Sequence, residues 1–97
     1  MPRREVRVTD QFFDRLDELL PSERSADGEP STTDFLLHEM PSVIERLAAM
    51  FEEVTVHAVP GSDVRVLITA GVFGRNLAFY VASAPDGWIQ ILYLDID

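Results

Sequence analysis

The chain has 97 residues, enough for one domain spanning 1–97 and too few for two. Seventeen Asp and Glu against eight arginines and no lysine give a net charge of −9, and 46% of the residues are apolar, too many for a disordered chain of that charge. Without cysteine there are no disulfides, thiol chemistry or cysteine-built zinc sites; no apolar run approaches the roughly 18 residues of a membrane helix, and no charged-then-apolar leader opens the chain, which together suit a reduced, cytoplasmic setting.

The first expected element is a short strand over residues 4–9, where Val6 and Val8 share one face. Thr9 or Asp10 can then cap a helix carrying Phe12, Phe13, Leu16, Leu19 and Leu20 at helical spacing. Pro21 ends that helix, and residues 21–31, with no large apolar side chain, read as a mobile loop. Ser31 with Asp34 resembles a capping box. From there Leu36, Met40, Val43, Ile44, Leu47 and Phe51 make one apolar stripe, interrupted by Pro41. Proline inside a helix removes a hydrogen bond at a cost of about 3 kcal/mol. The second helix is therefore expected to kink or break near 39–42, giving helices at 32–39 and 42–52. Ser42 and Glu45 offer a second capping box, and the unbroken phase of the stripe favours a kink.

Four strands are expected to follow, at residues 54–59, 64–69, 77–82 and 88–94. Pro60–Asp63, the glycines 71 and 74, and Ala84–Gly87 supply the turns between them. The last strand is apolar on both faces, as a central strand is. Short connections favour an antiparallel meander. The resulting class is α+β in two layers: an N-terminal strand, a helical hairpin, and a four-stranded antiparallel meander with the helices on one side.

The charge divides along the same lines. Residues 1–9 are basic through Arg3, Arg4 and Arg7, residues 10–63 carry 13 acids against three arginines, and residues 64–97 are nearly neutral. The acidic helical half repels phosphate backbones and suits a basic partner or plain solubility. This balance disfavours nucleic acid.

Few residues suggest chemistry. The two histidines, His38 and His57, lie on different elements without metal-ligand spacing, so no metal or cofactor is expected. Gly71-Val-Phe-Gly74 lacks the lysine of a phosphate loop and reads as a turn. The serines have no His-Asp pattern near them, and Asp17-Glu18 and Glu52-Glu53 read as solvated surface. Arg65 and Arg75 stand out because they lie on or near the neutral sheet. Arg65, between Val64 and Val66, leaves the face opposite to theirs, where it can clamp a phosphate or pair with a neighbouring element.

The order of elements, with Val64-Arg65-Val-Leu, then Leu77-Ala-Phe79-Tyr80-Val, then Asp86-Gly87-Trp-Ile89-Gln-Ile91-Leu, resembles the RelE/ParE superfamily of bacterial toxins. The likeness is diffuse and spans nearly the whole chain. It implies a toxin of a type II toxin–antitoxin system that either cleaves messenger RNA on the ribosome or poisons gyrase, and that is neutralised by a cognate antitoxin. By the same likeness Arg65 matches the arginine of the strand after the helices and Arg75 stands near the one before the tyrosine strand. Tyr80 matches a residue that is mainly structural in the family. RNA-cleaving members place basic residues and a tyrosine or histidine near the C-terminus. This chain ends Leu94-Asp95-Ile96-Asp97, which leaves Tyr93 as the nearest candidate. Cleavage needs stabilised phosphate charge and proton transfer, and two acids oppose both. The expected function is thus protein binding on this scaffold. The alternatives are a non-toxic interaction module or homodimer, and a ribosome-dependent mRNA endonuclease using Arg65, Arg75 and Tyr93.

Overall fold

The computed structural model describes residues 4–20, 31–71 and 75–96. Its elements are β1 (Val6–Val8), α1 (Asp10–Leu19), α2 (Thr32–His38), α3 (Met40–Val54), β2 (Val56–His57), β3 (Val64–Ala70), β4 (Asn76–Ser83) and β5 (Ile89–Ile96). Strands β2 to β5 form the antiparallel meander expected from their short connections. β1 adds to its far edge, giving the sheet order β1-β5-β4-β3-β2. It runs parallel to β5, with Val6 opposite Ile89 and Val8 opposite Ile91, so the five-stranded sheet is mixed. Parallel neighbours need a long crossover, and the helices supply part of it. β5 lies between two strands, which explains its double-sided apolar character.

The core lies between the helices and one face of the sheet. Phe12 and Leu16 of α1, Phe35 of α2, and Met40, Val43, Leu47 and Phe51 of α3 meet Leu67, Leu77, Phe79, Val81, Ile89, Ile91 and Leu94. Phe79 is its centre: its ring stacks on Phe12 at 6.2 Å and meets Phe35 at 6.1 Å. Burying each such side chain stabilises the fold by about 1.5–3 kcal/mol.

The local signals are mostly realised. The Thr9 hydroxyl accepts from the Phe12 amide, and Ser31 and Asp34 form a complete capping box. Leu20, just before Pro21, is extended, as the residue preceding proline should be. The β2–β3 turn closes with the Ser62 amide on the Val59 carbonyl, and the β4–β5 turn with Gly87 on Ala84. Both turns use a glycine at positive φ, Gly61 and Gly87. The expected loop at 21–31 and the turn at 71–74 fall largely outside the described residues, as does Arg3.

Several expectations change. The interruption falls within the expected 39–42 but is a break at Glu39 and not the favoured kink, and α3 starts at Met40, so that Pro41 occupies its first turn, where a missing N–H is harmless. Ser42 therefore lies inside α3 and caps nothing; the N-cap is Glu39, without a side-chain cap bond. The break also shifts the stripe, since the residue of α2 that reaches the core is Phe35, with Leu36 only half-buried. Phe13, expected inward, is 40% exposed. The strand expected over 54–59 shrinks to Val56–His57, because α3 runs on to Val54.

β5 carries one irregularity that decides which face each residue takes. Tyr93 stands opposite Tyr80 and Ile91 opposite Val81, so Leu92 is the extra residue of a β-bulge. Strict alternation from Ile89 and Ile91 would send Tyr93 and Asp95 inward and Leu94 outward. The added residue reverses the phase. Leu94 is fully buried and Ile96 packs on the core, leaving Tyr93 and Asp95 on the opposite face.

Candidate functional site

Arg65, Arg75 and Tyr93 occupy three separate places. Arg65 is opposite Val81, and therefore on the helix side of the sheet. Its Nε donates to the Thr55 hydroxyl at 2.6 Å, and Nη2 reaches the Thr55 carbonyl at 3.0 Å and, more weakly, the Glu52 carbonyl at 3.4 Å. Nη1 lies 3.1 Å from His57 Nε2, and the guanidinium carbon is 5.6 Å from the Phe51 ring centre. The Thr55 hydroxyl in turn donates to the Phe51 carbonyl. Arg65 thus closes the last turn of α3, which follows a non-helical Met50 (φ −142°, ψ 47°), where free carbonyls with their partial negative charge favour a cation. Among the described residues no carboxylate holds it; its partners are carbonyls, a hydroxyl and an imidazole.

Arg75 lies at the other end of the sheet. Its neighbour Asn76 is opposite Ala70, five residues along β3 from Arg65, or about 17 Å at 3.3 Å per residue. Its carbonyl accepts from the Gly71 amide at 2.7 Å. Tyr93 is on the face of the sheet away from the helices, with its ring 5.9 Å from that of Tyr80. Arg65 and Tyr93 are therefore separated by the sheet itself.

The other described arginines also hold structure. Arg4 donates to the Gly87 carbonyl and the Ser83 hydroxyl and covers the Phe51 ring at 4.8 Å, joining the end of α3 to the β4–β5 turn. Arg15 reaches round the edge of β5 where β1 has ended. Its Nε donates to the Leu94 carbonyl at 3.0 Å, Nη2 to Asp95 at 2.9 Å, and Nη1 to Glu18 at 3.2 Å, while its guanidinium lies 4.6 Å from the Tyr93 ring centre. Partial burial opposes the charged form of Arg15, but the bonds to Asp95 and Glu18 outweigh it and raise its pKa above the ordinary arginine value. Arg46 of α3 donates to the Thr69 hydroxyl.

The distinctive surface is the side of the sheet without helices. An antiparallel sheet with one solvated face normally alternates apolar inward with polar outward. Here the outward positions of β3 are Val64, Val66, Ile68 and Ala70, and those of β4 after Asn76 are Ala78, Tyr80 and Ala82. Val56 of β2 lies opposite Val66, and Tyr93 opposite Tyr80. Ile68 is 66% exposed and Val56 is 60% exposed. Polar groups on this side are few, and its charges have partners. Arg7 lies over the Trp88 ring at 3.0 Å from its centre and 3.5 Å from Glu5, and Asp95 is bound by Arg15. At one end the row Ile68, Ala78, Asp95 lines, with Asn76, Leu77 and Ile96, an open hollow of about 340 Å³, and the small Ala78 is the middle residue of that row.

Sequence reasoning centred on the arginines and passed over this face. The signal was there: Val64-x-Val66-x-Ile68 and Ala78-x-Tyr80-x-Ala82 are apolar at positions where a solvated strand carries polar residues. No match is found for the chain among protein-family models, curated proteins or solved structures.

Proposed function

We propose that this chain is a protein-interaction module that works through the uncovered, apolar face of its sheet. The observation that carries the reading is the outward side of the sheet, where Val56 and Ile68 stand exposed beside Tyr80, Tyr93 and Ala78, with Val66 buried among them, on a face whose described charges already have partners. Apolar patches of this kind mark interaction sites on soluble proteins. A cytoplasmic location belongs to the same reading.

In terms of the RelE/ParE likeness, this corresponds to the family's protein-binding side: a toxin-superfamily member held by a cognate antitoxin or bound to a protein target. The nuclease alternative draws no support from Arg65, Arg75 and Tyr93, because they do not converge on one cleft. The acidic half of the chain works against RNA in the same direction.

The test is a photo-reactive benzoylphenylalanine at Ile68, with a control at Leu37, which is equally exposed but on α2. In cells producing the chain, position 68 should cross-link to polypeptide and position 37 should not. No adduct at 68 refutes the module. The toxin version further requires growth arrest on induction, relieved by co-expression of the product of a neighbouring gene. Cells that grow normally, with no captured partner, would remove it.

A further inference from the structure

We infer that the polypeptide covering this face is a second copy of the same chain, packed sheet against sheet about a two-fold axis, with Ile68 of each copy seated in the other's hollow over Ala78. The inference rests on the protein-binding reading above and names its partner.

Shape is the first argument. A two-fold interface must be self-complementary, each patch meeting its own image. This face holds both halves of such a fit side by side. Ile68 stands as the most exposed large apolar side chain of the described sheet, and the hollow it borders is lined next to it by the small Ala78. At about 340 Å³ the hollow is roomy enough for an isoleucine side chain.

Charge is the second. Among the described residues the face offers no free charge to select a foreign partner, since Arg7 is stacked on Trp88 and Asp95 is bound by Arg15. The acids that make the chain strongly negative lie in residues 10–63, which include the helices. Sheet-to-sheet packing at about 10 Å, with a helical layer about 10 Å further out on each side, holds the two acidic layers about 30 Å apart, well beyond the Debye length of about 8 Å in physiological salt. Any approach of helix to helix would bring those acids together.

Area is the third. The strands, three, two, seven, eight and eight residues long and about 4.8 Å apart, present about 450 Å² per copy, or about 900 Å² for the pair, the size of a weak, transient interface. The dimer is accordingly reversible, with a dissociation constant of about 1–100 µM.

The experiment is sedimentation velocity on the 97-residue chain over about 1–500 µM, a range set by that dissociation constant. The mass should rise from 10.9 kDa toward twice that value. Ile68→Glu should weaken association at least tenfold, and so should Ala78→Leu, which fills the hollow while making the face more apolar. Ala78→Leu also separates the seated contact from unspecific stickiness, which it would increase. Raising salt should leave association equal or stronger, because screening relieves the repulsion between two acidic chains, whereas capture of a basic segment would weaken. Circular dichroism of each variant checks folding, and Ile68→Ser replaces Ile68→Glu if the latter unfolds. A constant 10.9 kDa mass overturns the inference, as does a dimer indifferent to both substitutions. Cross-linking at Ile68 separates the two readings. An adduct solely with another polypeptide sinks self-pairing and leaves the module standing, whereas no adduct sinks both.

Discussion

Replacing Arg65 by alanine should destabilise the protein by about 2–4 kcal/mol. The reasoning begins at Thr55, which is 3% exposed and ends α3. Its carbonyl receives a charge-assisted bond from Arg65 at 3.0 Å and its hydroxyl another at 2.6 Å. Losing a charged donor to a buried acceptor costs about 1.5–3 kcal/mol, and removing a cation from a helix C-terminus adds about 0.3–1 kcal/mol. For a domain of this size, 1 kcal/mol moves the midpoint by about 4–8 °C, so thermal unfolding should fall by about 8–30 °C. Far-UV circular dichroism with urea and heat reads the change. Arg65→Lys keeps the charge without the planar fork and should recover about half of the loss. An Arg65→Ala protein within about 0.5 kcal/mol of the parent would refute the structural role and return Arg65 to the pool of chemical candidates. The result also governs how any biological effect of this substitution is interpreted, because a chain that unfolds loses every activity at once.

Other substitutions test other joints. Gly71→Ala would put a Cβ 3.0 Å from Leu77 Cδ1 and 3.1 Å from the Glu39 carboxylate, so a loss of about 1–3 kcal/mol is expected in urea denaturation. Thr9→Ala removes both the cap on α1 and the hydroxyl bond to the Ile91 carbonyl, and should cost about 1–2 kcal/mol by the same measurement. Deleting Leu92 removes the bulge but leaves Leu94 two positions after Ile91 and so still inward, and the thermal melt should stay cooperative; loss of the cooperative transition would refute this account of the bulge. Arg15→Met should speed hydrogen exchange at the end of β5. Because the Arg15 pKa is raised, its contribution is fully present below the unfolded arginine value and fades only as pH climbs through the folded one. The deficit of Arg15→Met should therefore be equal at about pH 7 and pH 9.

The features legible in the sequence are the local ones. The Thr9 cap, the Ser31–Asp34 box, the extended residue before Pro21 and the Ala84–Gly87 turn each depend on residues within a few positions of one another. Four strands with short connections could hardly pair other than as a meander. Features made by distant partners stayed hidden. The bulge at Leu92 exists only relative to Tyr80 and Val81, and nothing in β5 alone announces it. The parallel union of β1 with β5 joins residues more than eighty positions apart. Phe35 escaped because the stripe was counted from Leu36 in one unbroken phase, whereas the helix breaks at Glu39, inside the window of 39–42 where a kink or a break was expected. Arg65 looked chemical because its partners, backbone carbonyls at the end of α3, leave no trace in a string of side chains.

The lone tryptophan of the chain, Trp88, lies beneath Arg7 at the border of the open face. The chain therefore carries a fluorophore at the rim of the open face, next to the β4–β5 turn and at the other end of the sheet from the Ile68–Ala78 hollow. Its emission wavelength and quenching by iodide can be followed in unlabelled protein during titration, giving occupancy of the surface without a dye, a tag or any knowledge of what arrives there.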